Sequence, residues 1–163
     1  MKRFIYIFLL SMLLTACGFH LRGQAQLPFE TLYVSGSEGS TFNIELKKNI
    51  EASSSTRLVD DITKAQAILE LTSINSEKII LSLSGGGRVR EFQLRYRVVL
   101  RVHDGKGKEY LPSSEILLKR DFSFNDTQVL AKEAEEALLY HDMQGDAIQQ
   151  IIRRLRLARP REE

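Results

Sequence analysis

The sequence predicts a two-layer α/β sandwich, an α+β arrangement in which a mixed four-stranded sheet carries two helices packed on one face. Three features predict it. Apolar and polar residues alternate from Val89 to His103, the period of a half-buried strand. Apolar residues recur every three or four positions over 41–52 and over 130–155, the period of a helix. The elements run in the order strand, helix, three strands, helix. A strand–helix–strand unit closes through a right-handed crossover onto a parallel neighbour. The later strands, joined by short turns, form an antiparallel meander, and helices with one apolar stripe each bury it on the sheet.

Thr31 to Ser35 is the first strand, with Leu32 and Val34 on one face; Gly36, Ser37, Gly39 and Ser40 form the loop after it. Residues 41–52 read as a helix because Phe42, Leu46 and Ile50 share a face. Ser40 or Thr41 suits its N-cap, and Ser53, Ser54 and Ser55 end it. Residues 67–83 are strand-like and rich in Ile and Leu, but their alternation changes phase, which places a bulge or bend near Asn75 to Lys78. Gly85, Gly86 and Gly87 then break the chain. In 89–103, Phe92, Leu94, Tyr96, Val98, Leu100 and Val102 face one way. Glu91, Gln93, Arg95, Arg97, Arg101 and His103 face the other, with Val99, a side open to water or to a partner. Asp104-Gly105-Lys106-Gly107 is a hairpin turn signal. Residues 114–124 form the next strand, with Ile116, Leu118, Phe122 and Phe124 on one face. Asn125, with Gln128 three positions on, suits a capping box for a long helix ending near Leu157. Its apolar stripe is Leu130, Ala134, Ala137, Leu138, Ile148, Ile151, Ile152 and Leu155. Glutamates early and arginines late suit the helix dipole, and Pro160 stops it.

The N-terminus is a targeting signal. Lys2 and Arg3 precede an apolar run from Phe4 to Leu14 that only Ser11 interrupts, too short for an ordinary membrane span. Leu14-Thr15-Ala16-Cys17 resembles a lipobox, in which the Cys17 thiol takes the lipid and becomes the new N-terminus. Cys17 is the only cysteine, so no intramolecular disulfide forms, and an acylated cysteine is no liability in an oxidising compartment. Gly18, where an aspartate favours inner-membrane retention, points to outer-membrane sorting. The expected organisation is a signal peptide at 1–16, a lipidated tether at 17–30, one domain at 31–159 and a tail at 160–163. Removing 16 of the 163 residues leaves 147, enough for one domain with a real core. The chain has 23 basic and 21 acidic residues; without Lys2 and Arg3 the count is 21 against 21, so net charge supports no nucleic-acid partner.

No catalytic constellation is legible. His20, His103 and His141 have no second ligand at metal spacing, so neither a metal nor a cofactor is expected. Gly85 to Gly87 lacks the Gly-Lys-Ser/Thr ending and the helix of a phosphate loop. The pairs Asp60-Asp61 and Glu135-Glu136 have no reason to share a pocket. Basic residues remain: Arg88 and Arg90 flank the glycine tip, and Arg95, Arg97 and Arg101 run down the sheet face. Two readings stand for them, recognition of anionic lipid head groups and a solvated face guarding against aggregation. Lys132 is a further candidate; its alternative is an ion pair with Glu136 one turn on.

Cys17-Gly18-Phe19-His20-Leu21-Arg22-Gly23, and later Phe122-Ser123-Phe124-Asn125-Asp126 with Gln128, Leu130-Ala131-Lys132, Glu136, Leu138, Met143, Asp146-Ala147 and Arg154-Leu155, resemble the LptE family of LPS-assembly lipoproteins. The resemblance implies a non-enzymatic outer-membrane lipoprotein. Such a protein plugs the lumen of a large β-barrel partner, LptD, aids its folding, binds lipopolysaccharide and helps place it in the outer leaflet. Lys132 lies in the matched stretch, which makes it the best single candidate for lipopolysaccharide binding; Arg88 and Arg90 rest on charge and an exposed loop. An accessory module of another envelope assembly machine, such as outer-membrane protein insertion, is the alternative, and an envelope hydrolase a weaker one.

Overall fold

The computed structural model describes residues 27–36 and 39–159. The signal segment, Cys17, His20, most of the tether and the 160–163 tail lie outside the described residues. The elements are β1 (Thr31–Ser35), α1 (Thr41–Ser53), β2 (Arg57–Leu58), β3 (Ala67–Leu83), β4 (Val89–His103), β5 (Glu109–Ser123) and α2 (Val129–Leu157), with single 3-10 turns at Ile62–Lys64 and Asp126–Gln128.

The mixed two-layer architecture is as expected, but the sheet has five strands rather than four, in the order β2-β1-β3-β4-β5. The extra strand is β2, which runs parallel to β1. Its backbone is held by Arg57 N–H donating to the Glu30 carbonyl at 2.9 Å and Val59 N–H to that of Leu32 at 3.0 Å. Two residues are too few for any alternation to show in sequence. β1 and β3 are parallel, while β3, β4 and β5 form the antiparallel meander.

The Ser40 side chain caps α1 by accepting from Asn43 N–H at 3.2 Å. Phe42, Leu46 and Ile50 are buried against Leu32, Leu69, Leu100 and Val102 of the sheet. The chain is packed before β1 begins: Phe29, inside the expected tether, is 3% exposed and meets Tyr110 edge-on at 6.0 Å.

The phase change in β3 comes earlier than expected. Leu71 pairs with Leu100 and Ser73 with Val99, so Thr72 is the extra residue, not one of 75–78. One inserted residue moves every later side chain to the other face. Ala67, Leu69 and Leu71 therefore point to the helices, and after the bulge Ile74, Ser76, Lys78 and Ile80 do, opposite Val98, Tyr96, Leu94 and Phe92. Two of those four positions are polar, which hid the new phase. Further shifts near the tip leave Leu81 and Arg90 as the bulged residues. β5 begins at Glu109, five residues before the expected start, through an irregular stretch that pairs Val102 with Leu111 and His103 with Glu109.

α2 departs most from expectation. Asn125 caps the 3-10 turn rather than the helix, its Oδ1 accepting from Thr127 N–H at 3.0 Å, and no side chain caps Val129 onward. The second half of the predicted stripe, Ile148, Ile151, Ile152 and Leu155, is fully in the core. The first half is not: Leu130 is 82% and Leu138 60% exposed, and Ala134 and Ala137 are exposed too. At about 100° per residue the eight positions do share one helix face. The sheet, however, twists beneath the helix. Residues on another face of α2, Lys132, Glu136, Leu139, Tyr140 and Met143, are the ones covered at its N-terminal half.

Candidate functional site

The molecule has two unlike ends. At the proximal end lie Leu27, the 104–108 turn and the dense core. At the distal end lie the β3–β4 turn and the start of α2. β4, with 15 residues, spans the distance between them, about 50 Å at strand rise.

The distal turn is closed by Ser84. Its N–H donates to the Arg88 carbonyl at 2.7 Å, its Oγ accepts from Arg88 N–H at 3.1 Å and its carbonyl accepts from Gly87 N–H at 2.9 Å. Gly87 has φ +79°, a conformation that needs glycine. Arg88 and Arg90 are exposed and make no ion pair among the described residues. The Arg90 carbonyl accepts from Phe124 N–H at 2.7 Å, and the Lys132 ammonium sits 3.3 Å from the neighbouring Ser123 hydroxyl. Lys132 thus lies at the same end of the molecule as Arg88 and Arg90, more than 40 positions earlier in the chain. Lys132 is 15% exposed and pairs with Glu135 at 2.7 Å, not with Glu136 as the helical spacing suggested.

Glu136 is taken by Lys78, a residue the sequence did not mark, at 2.5 Å. The Lys78 ammonium lies 4.3 Å from the centre of the Phe92 ring, with Phe122 and Phe124 at 5.7 and 5.9 Å. The three rings pack on one another, Phe92 stacking on Phe122 at 5.8 Å and meeting Phe124 edge-on at 5.2 Å. Tyr140 donates to the Glu77 carbonyl at 2.8 Å. Burial, then the Glu136 and Glu77 carboxylates, push the Tyr140 phenol up. A lysine at an inward parity position, opposite Leu94, was the available signal for Lys78; it is readable only once the bulge at Thr72 is placed.

Two of the three sheet-face arginines are neutralised in place. Arg101 Nε donates to Glu70 at 2.6 Å, and Arg97 lies 3.7 Å from Glu115. Arg95 Nε donates to the Gln93 side chain at 3.0 Å. The Arg101 guanidinium holds the Glu70 carboxyl below its ordinary range, with His103 adding to the effect. Gly105 N–H donates to His103 Nδ1 at 3.0 Å, which turns Nε2 toward Glu70 at 3.4 Å. Arg97 and Arg101 are therefore members of a mixed-charge face and Arg95 is bonded to a neutral amide, while Arg88 and Arg90 make no ion pair among the described residues. Among the described residues no three His, Cys, Asp or Glu side chains cluster as a metal site, and no helix is long and apolar enough to cross a membrane. A cleft of about 760 Å³ at the proximal end is lined by Leu27, Phe29, Ser55, Arg57 and Gln66, among others.

Comparison with known proteins finds that the model of a family described as LptE, lipopolysaccharide-assembly, matches residues 29–155. An LPS-assembly lipoprotein LptE from Pectobacterium atrosepticum is 30% identical over 158 residues, covering 94% of this chain and 85% of that one. Among solved structures, the solution structure of an uncharacterized lipoprotein B from Nitrosomonas europaea superposes with a TM-score of 0.71 at 46% identity, over 85% of this chain and 88% of that one. The crystal structure of the rare lipoprotein B from Shewanella oneidensis gives 0.66 at 27% identity, over 76% and 91%.

Proposed function

The chain belongs to the LptE family of lipopolysaccharide-assembly lipoproteins, and on that premise we propose how it works: as a non-enzymatic factor, lipid-anchored at Cys17 on the outer membrane, that sits in the lumen of the LptD barrel, aids its folding and binds lipopolysaccharide at its distal end. The observation that carries the binding site is that Arg88, Arg90 and Lys132 share the distal end, with the two arginines in no ion pair among the described residues. Guanidinium groups suit the phosphates and carboxylates of an anionic glycolipid. Lys132 is held ready by Glu135, and the ligand takes that carboxylate's place.

The 50 Å of strand between the ends gives the anchor and the binding tip separate positions. Arg97 and Arg101, already matched by Glu115 and Glu70, contribute to solubility more than to binding. The test is binding of purified mature chain to lipopolysaccharide. Arg88→Glu with Arg90→Glu, and separately Lys132→Asp, should each weaken it on the order of tenfold, the effect of losing about 1.4 kcal/mol. Arg101→Glu should change it little. Equal losses from all three would point to nonspecific charge attraction. No loss from the distal variants would remove the site.

A further inference from the structure

We propose that the outward face of the first half of α2 docks a protein partner whose contacting surface is apolar and flanked by lysine or arginine. Leu130, Ala134, Ala137 and Leu138 lie within about 100° of arc on that face, at 100° per residue. Leu130 and Leu138 are the two most exposed large apolar residues before the helix C-terminus, at 82% and 60%. The face lies on the same arc as Ile148 and Ile152 of the buried half, with the exposed His141 and Gly145 between them.

The chain itself cannot cover it by rolling the helix inward. The opposite side of the same turns is fixed by Lys78 to Glu136, Lys132 to Ser123 and Tyr140 to the Glu77 carbonyl. Turning the leucines inward would break all three contacts and leave Lys78 facing an aromatic cluster without a carboxylate.

Charge selects the occupant. Between Val129 and Asp146 the helix carries Glu133, Glu135, Glu136, Asp142 and Asp146; Lys132, Lys78 and Arg120 pair with Glu135, Glu136 and Asp146, which leaves Glu133 and Asp142. Glu133 borders the leucine row on one side and Asp142 on the other, and neither has an ion pair among the described residues. Helices that lie on anionic membranes carry Lys and Arg beside the apolar face; this one carries acids, which repel lipid phosphates. A second copy docked face to face would bring acidic borders together. A protein surface with an apolar row and basic borders meets both features, and complementary charge sets register as well as attraction.

The proposal rests on the assembly reading for the partner used as probe, the barrel protein. The experiment places a photo-crosslinking residue at Leu138 in the full lipidated chain, in cells, and measures recovery of the barrel with the wild-type chain, with Leu130→Glu plus Leu138→Glu, and with Lys106→Glu, an exposed position in the proximal turn. The expected result is a Leu138 adduct with the barrel, barrel recovery reduced on the order of tenfold by the two glutamates, and recovery unchanged by Lys106→Glu. Far-ultraviolet circular dichroism checks that the glutamate variant, altered at exposed positions, is folded. An adduct with lipopolysaccharide or with a second copy, or full recovery by a folded glutamate variant, overturns the proposal. A wild-type chain that recovers no barrel overturns the assembly reading instead. In that case an adduct at Leu138 with another protein, abolished by Glu133→Lys with Asp142→Lys, supports the docking face, and no such adduct overturns it.

Discussion

Removing the Lys78 charge should loosen the distal end of the molecule without unfolding the proximal core. Lys78 and Glu136 meet at 2.5 Å with side chains 33% and 21% exposed, so the pair is largely shielded but not dry. A hydrogen bond between charged groups contributes about 1.5–3 kcal/mol, and an ammonium over an aromatic face adds about 0.5–1 kcal/mol where water has access. Allowing for that access, Lys78→Met, which keeps the stem on Phe92, should cost about 2 kcal/mol. In a domain of this size that lowers the melting temperature by about 4–8 °C. Glu136→Gln should cost about 1 kcal/mol, because an amide still accepts from the ammonium. In the double variant the losses should fall short of their sum by about 1 kcal/mol, the signature of direct coupling. Urea unfolding gives the energies, and hydrogen exchange gives the location. Amides of 129–140 should lose protection several-fold, while those of 147–155, between Ala147 and Leu155 in the core, should hold. Additive losses, or an even loss of protection along α2, would refute the reasoning, since either would mean that the ion pair does not fasten this half of the helix.

Two further outcomes follow from the same geometry. The Tyr96 phenol is 4% exposed, and burial, with the Glu45 carboxylate adding, pushes its pKa up to about 12. A folded-state pKa raised above the unfolded value of about 10 gives stability that is intact below pH 10 and declines as pH rises toward 12, by about 3 kcal/mol in all. Urea midpoints across pH 8–12 should show that fall, and Tyr96→Phe should flatten it; an equal fall in both would assign it elsewhere. At the sheet edge, the Arg154 guanidinium donates to the Ser114 hydroxyl at 2.9 Å and to the Glu115 carbonyl at 2.8 Å, occupying an outward-facing group of β5. Arg154→Ala should cost about 1–2 kcal/mol and raise self-association through the freed edge, read by light scattering over a concentration series; a variant that stays monomeric throughout would show that the edge is guarded by other means.

The strands and helices were legible wherever one side of an element faces the core throughout. β4 was read to the residue, because Leu94, Tyr96, Val98, Leu100 and Val102 are all buried and their neighbours are not. β2 was missed because pairing of two residues rests on backbone hydrogen bonds that any side chain permits. The bulge was felt as a phase change but misplaced, since Thr72 and Ser73 are alike in polarity and Ser76 and Lys78 occupy inward positions. Among site residues, Arg88, Arg90 and Lys132 were picked out by charge, but their place at one end depends on the bond from Phe124 to the Arg90 carbonyl, a contact between strands that no local pattern encodes. The same limit applied to the ion pairs: helical spacing offered Glu136 to Lys132, while the sheet supplied Lys78 to Glu136 and left Lys132 to Glu135.

The division of α2 explains why the exposed stripe is no packing fault. In the C-terminal half the apolar face and the covered face coincide, and Ile148, Ile151, Ile152 and Leu155 hold the helix by burial, worth about 1.5–3 kcal/mol for each side chain. In the N-terminal half the two faces separate, and the covered one is fastened by the Lys78–Glu136 pair, a tyrosine hydroxyl and the packing of Leu139 and Met143. A helix needing only to close the fold would carry leucine where Lys132 and Glu136 stand and a polar residue at Leu130, since salt bridges hold less than buried apolar groups of similar size. The reverse arrangement gives one face the carboxylate that pairs with Lys78 over the phenylalanine cluster and leaves the other apolar. Under the assembly reading the helix is thus built with two covered faces, one met by its own sheet and one by the partner. Affinity for the partner should then rise and fall with Leu130 and Leu138 while the stability of the free chain stays nearly constant; a fold that needed those leucines for itself would show the opposite pairing of effects.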